Sequence, residues 1–280
     1  MSKLTWDAVG DRLYETGTKK GVLFLQTSEG YGAGIAWNGL TGFSESPDGG
    51  DATDMWADDI KYLSIRAKEN FKGTITAYTF PDEFAQCDGT ASPIAGMRVG
   101  QQARKPFGFS YVTTVGNDVD FEDHGYKIHL IYGATASPSS KDYKTINDSP
   151  EAIEFSWEIT TTPVTVGTIN GVEYKPTASI ELDSTKLTTA QLTAIENAIY
   201  GVDAAEAVAA TYKKATGAFQ ATGVDYYTLS DNTYTKVQSP SSTDFGDYYV
   251  IDTPAKDAVT ASASYLPTPS QIYTILSNAS

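Results

Sequence analysis

Residues 151–159, EAIEFSWEI, decide the class of fold. Apolar and polar side chains alternate along this stretch: Ile153, Phe155, Trp157 and Ile159 against Glu154, Ser156 and Glu158. Successive side chains of a β-strand point to opposite faces of the sheet. The pattern therefore predicts a strand with one face in the core and an acidic face in water.

Further short runs on either side have the same character and are separated by Gly, Pro, Asp and Asn. They are GVLFLQT (21–27), AGIAW (33–37), IKYLSIRA (60–67), GTITAYTF (73–80), FGFSYVTTV (107–115) and YKIHLIYG (126–133). Strict alternation along 60–67 places Ile60 and Ser64 on one face and Leu63 and Ile65 on the other. Many short strands joined by turns predict a mostly-β sandwich or barrel. A short helix over 79–89 is expected after the fourth strand.

The character of the sequence changes after residue 181. Thr188 and Gln191 have the spacing of a capping box before an amphipathic helix, and Thr268 and Gln271 repeat it near the C-terminus. We therefore expect a β domain over 1–181, helical elements over 182–201 and 266–280, and an inserted peripheral module over 202–265. Within that module, Ser230-Asp231-Asn232 predicts a hairpin turn.

Charge and cysteine content exclude several classes of function. The formal net charge is −15, and the longest basic runs are pairs of residues, such as Arg104-Lys105. Proteins that grip nucleic acid need clusters of Lys and Arg, so specific DNA binding is not expected. Cys87 is the single cysteine, which excludes an intramolecular disulfide and indicates a small buried side chain. No basic-then-apolar leader and no apolar run long enough to cross a bilayer is present, so we expect synthesis in a cytoplasm and no membrane anchor.

No stretch of the sequence identifies a reaction centre. His124 and His129 lack the spacing of metal ligands, and no phosphate-binding loop or nucleophile elbow occurs. The sequence thus predicts neither an enzyme nor a bound cofactor or metal. Two alternatives stay open: a glycosidase that uses paired carboxylates, of which Glu154 and Glu158 are one pair, and an irregular calcium site in DGGDATD (48–54).

Residues 38–59 form an outsized connection between the second and third predicted strands. The segment contains six carboxylates, no positive charge, a Gly-Gly pair and Trp56. A structureless connection of this length is uncommon unless it is functional or disordered. We expect a long, mobile, acidic loop.

Five stretches together resemble the major tail tube protein of bacteriophages with long, non-contractile tails. They are YGAGIAWNGLTGFSESPDGGDATDMWADDIKYLSI (31–65), GTITAYTFPDEFAQCDGTA (73–91), GQQARKPFGFSYVTTVGND (100–118), YKIHLIYGATASPSSKDYKTINDSPEAIEFSWEITTTPV (126–164) and LPTPSQIYTIL (266–276). The likeness lies in the whole pattern rather than in one motif. It covers roughly residues 1–200 and the last fifteen, and it omits 202–262.

This resemblance implies a structural virion protein made in the host cytoplasm. Six subunits would form a ring, and stacked rings would form the tail tube through which DNA passes without specific binding. Expected partners are further copies of the chain and the tape measure, tail terminator and distal tail proteins. In this family the long loop reaches a neighbouring subunit or ring.

The resemblance and the charge pattern together define the candidate site residues. The inter-subunit loop contributes Phe43, Glu45, Asp48, Asp51, Asp54, Trp56, Asp58 and Asp59. Possible basic partners on other subunits are Arg66, Lys68, Arg98, Arg104 and Lys105. Glu154 and Glu158 mark a strand that faces either the lumen or the outer surface of a tube. The competing hypothesis for 202–262 is a carbohydrate-binding or host-surface-adhesion module, because tyrosine rings stack on sugars.

Overall fold

The computed structural model describes residues 4–138, 141–143, 145 and 152–279. The strands are β1 (Tyr14–Thr27), β2 (Gly30–Trp37), β3 (Leu40–Glu45), β4 (Asp48–Gly49), β5 (Ala52–Ala57), β6 (Ile60–Arg66), β7 (Glu69–Asn70), β8 (Lys72–Ala77), β9 (Phe107–Asn117), β10 (Phe121–Ala136), β11 (Phe155–Thr161), β12 (Gly167–Ile169), β13 (Val172–Tyr174), β14 (Ser179–Asp183), β15 (Thr211–Lys214), β16 (Tyr227–Ser230), β17 (Thr233–Lys236) and β18 (Tyr249–Thr253). The helices are α1 (Thr189–Tyr200), α2 (Pro269–Asn278) and two 3₁₀ helices, Asp82–Gln86 and Phe245–Asp247. The predicted mostly-β fold is confirmed.

An eight-stranded antiparallel sheet organises the larger of two compact units. Its strand order is β2-β1-β9-β10-β11-β8-β3, and β14 also pairs with β10. β10 changes partners along its length: Lys127–Ile131 pair with β14, and Ala134–Ala136 pair with β11. Between these segments Gly133 adopts φ +58. The kink at Gly133 therefore lets one long strand join two differently directed parts of the sheet.

The sheet rolls over so that its edge strand β3 packs on the distant strand β9. The ring of Phe43 on β3 stacks on Tyr111 of β9 at a centroid distance of 4.5 Å. Trp157 of β11 is fully buried in the enclosed core and packs edge-on against Trp37 and Phe84. The predicted strand around Trp157 is present and begins at Phe155, whereas Glu151, its predicted first residue, lies outside the described residues.

The opposite face of the sheet is covered by the two helices. Ile195 and Ile199 of α1 and Ile272 of α2 pack in one buried cluster with Phe24 and Leu130 of the sheet. Both predicted capping boxes are present. The Thr188 and Thr268 side chains each accept a hydrogen bond from the backbone N–H of the third helical residue, and the glutamine side chain at that position accepts one from the backbone N–H of the threonine. The predicted helical turn after β8 is the 3₁₀ helix Asp82–Gln86. Cys87 follows it and is fully buried, and burial raises the pKa of its thiol to about 12.

The second compact unit is Val202–Ser262. Its four-stranded sheet has the order β15-β18-β16-β17. The predicted hairpin turn is confirmed: Asp231 and Asn232 join β16 to β17 with positive φ values of 49 and 62, as a type I′ turn requires. Tyr226, Tyr248, Phe219 and Phe245 pack together in a small aromatic core.

The expectation of a structureless loop over residues 38–59 is wrong. β3 and β8 form a hairpin that continues outward through the short pair β4–β7 and the longer pair β5–β6. The ladder is interrupted at Ser46-Pro47 and again at Gly50-Asp51, which lie between the paired segments. These turn residues and the high charge conceal the strands, because composition alone does not reveal a ladder that resumes after each break.

The kink in β10 yields a stability prediction. A Cβ on Gly133 would lie 2.3 Å from the Thr162 carbonyl oxygen, in addition to the positive φ. We expect Gly133→Ala to lower the free energy of unfolding by about 2–4 kcal/mol. Gly171→Ala is the matched control, because Gly171 has φ +78 but open space around it; a loss of about 1 kcal/mol is expected there. Denaturant titration followed by Trp fluorescence measures both, and equal losses would contradict the role of Gly133.

Candidate self-association surface

A two-stranded arm extends from the rolled sheet. We define the arm as residues 51–67, which comprise β5, β6 and the turn between them. All residues of β5 and β6 are exposed, and these strands pair only with each other. An isolated two-stranded hairpin is marginally stable in water, and its unpaired edges invite pairing with another chain. The arm therefore has the properties of an element that needs a partner.

One face of the arm is apolar. Opposed residues in an antiparallel pair share a face, and the opposed pairs Thr53–Ile65, Met55–Leu63 and Ala57–Ile60 occupy one face of this ladder. Their large side chains are exposed: Met55 by 49%, Ile60 by 64%, Leu63 by 37% and Ile65 by 56%. Contiguous exposed apolar surface of this kind marks interaction sites.

The other face of the arm is polar, with one aromatic residue. It contains the pairs Ala52–Arg66, Asp54–Ser64 and Trp56–Lys61. Asp54 accepts a hydrogen bond from Ser64 and forms an ion pair with Lys61, both at 2.7 Å. Trp56 is 68% exposed. The two faces thus differ in chemistry and can contact two different surfaces.

A bulge in β6 produces this separation and corrects the alternation expected for 60–67. Met55 is opposite Leu63 and Trp56 is opposite Lys61, so Tyr62 is an extra residue without a partner. An extra residue reverses the parity of the strand beyond it. Ile60 therefore shares a face with Leu63 and Ile65, whereas strict alternation placed it with Ser64.

Special backbone conformations bound the arm at both ends. Asp58 and Asp59 form the two-residue turn at its tip with φ values of 53 and 61, and aspartate tolerates this left-handed region better than most residues. At its base, Gly49 has φ +92, and a Cβ there would lie 2.4 Å from the Lys68 carbonyl oxygen. Gly50 beside it has φ +76, so both positions of the Gly-Gly pair favour glycine.

The carboxylates of the predicted loop have different environments. Asp48 pairs with Lys72 at 2.6 Å and Asp54 pairs with Lys61. The hydrogen bond and charge of Lys72 lower the pKa of the Asp48 carboxyl group, and hydrogen bonds from Lys61 and Ser64 lower the pKa of the Asp54 carboxyl group. Asp51, Asp58 and Asp59 form no side-chain hydrogen bond or ion pair within the described part of the chain. Asp48 and Asp54 thus bind separate lysines rather than converging with Asp51 on a calcium ion.

Two of the predicted loop residues belong to the subunit's own packing. Phe43 is partly buried against the core, where it stacks on Tyr111 and Phe109. The carboxylate of Glu45 accepts a hydrogen bond from the Tyr111 hydroxyl at 3.1 Å. Phe43 is therefore not available as an anchor for a neighbouring subunit, and Trp56 is the exposed aromatic residue of the pair.

The five predicted basic residues fall into two groups. Arg66 lies on the arm itself and Lys68 at its base, and both are exposed. Arg98, Arg104 and Lys105 lie between the 3₁₀ helix Asp82–Gln86 and β9. Each of these three has a partner within the subunit: Asp82, the Asp88 carbonyl and the Gln86 side chain respectively.

Glu154 and Glu158 lie on the outer face of the β3–β8–β11 region. Glu154 accepts a hydrogen bond from the Thr41 hydroxyl at 2.5 Å. Next to them, the opposed residues Ser44, Thr74 and Glu158 form one row across three strands, and Gly42, Thr76 and Ser156 form another. This face therefore consists mainly of hydroxyl and carboxylate groups, as the alternation predicted. Lys72 of β8 lies on the same face, opposite Thr160, and pairs with Asp48.

A titratable cluster surrounds His129 on β10. Its ring stacks on Tyr111 at 4.5 Å, and its Nε2 is 2.9 Å from the Thr113 hydroxyl. Burial lowers the pKa of His129, against the opposing effect of nearby Glu181, Glu15 and Glu45. Burial raises the pKa of Glu15, but hydrogen bonds from Thr113 and Lys127 outweigh it, so the net shift is downward.

The described residues lack two features that would indicate other kinds of site. Within those residues, no group of three or more His, Cys, Asp or Glu side chains is arranged to bind a metal ion. No helix in the described part of the chain has the length and apolar character needed to cross a membrane.

Comparisons with known proteins give a structural similarity and no sequence match. No family model and no curated protein matches the chain. Among solved structures, it is similar to a chain in the cryo-EM structure of the anti-feeding prophage (AFP) baseplate, 6-fold symmetrised, with 10% identity and a TM-score of 0.29. The match covers 66% of this chain and 100% of that chain. A TM-score at this level does not establish a common fold.

The His129 cluster predicts a pH dependence of stability. Because the folded protein lowers the pKa of His129 below its usual 6.5, the unfolded chain binds more protons just below that pH. Stability is therefore expected to be retained above pH 6.5 and to fall as the pH drops below it. His129→Gln should flatten this slope between pH 7 and 5, whereas His124→Gln, the matched control, should retain it. Denaturant titrations at several pH values test this, and equal slopes in wild type and His129→Gln would contradict it.

Proposed function

We propose that this chain is a structural subunit of a phage tail tube that assembles with copies of itself into stacked hexameric rings. The proposed number of six subunits in a ring, and the stacking of the rings, are based on the resemblance to major tail tube proteins. The observation that supports self-assembly is the arm, whose apolar face of Met55, Ile60, Leu63 and Ile65 is exposed in the single subunit.

The arm is suited to contacts between subunits for a physical reason. Burying its apolar side chains against a neighbour would contribute to the free energy of assembly, at roughly 25 cal/mol per Å². Because the arm is already a hydrogen-bonded hairpin, it loses less conformational entropy on docking than a disordered loop would. Its two faces allow one arm to contact two surfaces.

The outer face of β3–β8–β11 supports the proposed role as a conduit. We assign this face to the tube lumen, because its exposed groups are mainly hydroxyls and the carboxylates of Glu154 and Glu158. A negative lining repels DNA phosphates and disfavours adhesion during passage. Tape measure, tail terminator and distal tail proteins would be the further partners, and the assembled location would be the virion.

Replacement of the arm tests the proposal. Gly49 and Glu69 are directly opposed, so residues 50–68 can be replaced by an Asn-Gly turn that closes the shortened hairpin. Electron microscopy of the purified wild-type protein is expected to show tubes about 10 nm wide, the scale of a few small domains around a pore. The arm-replaced variant should remain folded and monomeric, because no buried core residue is removed.

A variant with point substitutions tests the apolar face without removing the arm, so that an indirect effect of the shortened hairpin on assembly is excluded. Ile60→Thr/Leu63→Thr/Ile65→Thr places a β-branched residue at each position, which suits a strand, and removes three large apolar side chains. This variant should lose tubes with little change in stability. Val172→Thr/Tyr174→Thr, on exposed β13, is the control and should polymerise normally. Unimpaired tubes from the arm variants, or wild-type protein that stays monomeric with its assembly partners, would refute the proposal.

A second candidate function concerns the unit Val202–Ser262. Each strand of its sheet contributes one tyrosine to a half-buried cluster: Tyr212, Tyr249, Tyr227 and Tyr234. Tyr227 is opposite Tyr249, and Leu229 is opposite Tyr234, so these four side chains lie on the same face of the sheet. Tyrosine surfaces of this kind suit sugar rings, which favours carbohydrate binding by this unit.

The tyrosine face predicts a measurable affinity for glycans. Full-length protein should bind members of a glycan array, and Tyr212→Ser/Tyr234→Ser should reduce that binding at least about tenfold through loss of stacking. Tyr174→Ser, an exposed tyrosine of the larger unit, is the control and should bind as wild type does. Uniform non-binding by the wild-type protein would remove this candidate.

A further inference from the structure

A cavity of about 600 Å³ lies between the segment that joins the 3₁₀ helix Asp82–Gln86 to β9 and the chain that follows β10. Its lining includes Arg104, Lys141, Gln101, Gln102, Pro138 and Tyr143. We call these six residues the basic pocket. The proposed function assigns it no role.

The basic pocket carries positive charge in an acidic protein. Lys141 forms an ion pair of 2.7 Å with Asp88, whose side chain is only 7% exposed. Arg104 has no carboxylate partner within the described residues: Nη2 donates to the Asp88 backbone oxygen, and the buried Nε forms no hydrogen bond. Two cations and one carboxylate leave one net positive charge, with guanidinium donors suited to a carboxylate.

The tip of the arm has the complementary chemistry. Asp58 and Asp59 project two adjacent carboxylates that have no partner in the described part of the chain. Trp56 precedes them and is largely exposed. In the pocket, Gln101 and Gln102 supply amide donors for carboxylates, and Pro138 with Tyr143 supplies surface for an indole ring.

We propose that the basic pocket of one subunit receives the arm tip of another copy of this chain, with Asp58 and Asp59 facing Arg104 and Lys141. This inference rests on the proposed function, because it names the docking site for the arm. Charge complementarity selects the occupant, and the tip extends beyond the packed part of its own subunit. The five basic residues suggested by sequence included Arg104 but omitted Lys141, which only the fold brings beside it.

A double-mutant cycle tests the pairing. Asp58→Asn/Asp59→Asn removes both charges and retains residues that tolerate the left-handed turn. Arg104→Gln and Lys141→Gln, made separately, each remove the one net positive charge of the pocket. Each change is expected to raise the critical concentration for tube formation about tenfold. Combined tip and pocket changes should have little more effect than either alone, because the two sites act through one contact.

Controls separate this contact from general charge effects and from misfolding. Asp231→Asn/Asp257→Asn removes the same number of charges outside the arm and should leave the critical concentration unchanged. Thermal unfolding of each variant under non-assembling conditions reports its fold. If Arg104→Gln fails to fold, Lys141→Gln completes the cycle.

Cross-linking supplies a second, independent measurement. Asp59→Cys and Gln101→Cys proteins, each also carrying Cys87→Ala, are mixed, assembled and oxidised; a disulfide-linked dimer between the two is expected. Asp51→Cys replaces Asp59→Cys in the control, and no dimer should form. Normal tubes with additive mutational effects and no cross-link would overturn the pocket assignment and leave the tube proposal standing. Wild-type protein that forms no tubes would overturn both.

Discussion

The stack of Phe43 on Tyr111 is the interaction on which the rest of the larger unit depends. It fixes the edge strand β3 over β9, and the Tyr111 hydroxyl adds a hydrogen bond to Glu45 two residues further along β3. Because β3 and β8 are the base of one long hairpin, this contact also fixes the direction in which the arm leaves the subunit. Core packing at the base and exposure at the tip are therefore properties of one continuous element.

The sequence predicted those parts of the fold that are determined by residues close together in the chain. Thr188 with Gln191, and Thr268 with Gln271, specify helix starts through bonds that span three residues. The alternation around Trp157 predicted β11 because both its faces have constant environments over several residues. The Asp231-Asn232 turn could likewise be predicted from the sequence, because few residue types accept two consecutive positive φ values.

The candidate site was harder to predict because its determinants are not local. The position of the bulge at Tyr62 depends on how β6 aligns with β5, and a one-residue shift reverses every side chain beyond it. The inward position of Phe43 depends on the rolling of the sheet, which the residues around Phe43 do not encode. Lys141 and Arg104 are 37 positions apart in sequence, and the fold alone places them on one cavity.

Because the arm is a preformed hairpin, the physical barrier to premature association of the subunits differs from that of a disordered loop. A disordered loop would disfavour docking through its ordering cost, but β5 and β6 have already lost most of that entropy. The remaining barrier is electrostatic: subunits with a formal net charge of −15 repel one another. That repulsion acts over a Debye length of about 8 Å at physiological salt, whereas the desolvated contacts that we propose between the arm tip and the basic pocket would be screened much less. Long-range repulsion and short-range complementarity can therefore coexist, and only an encounter that aligns tip with pocket gains the attraction.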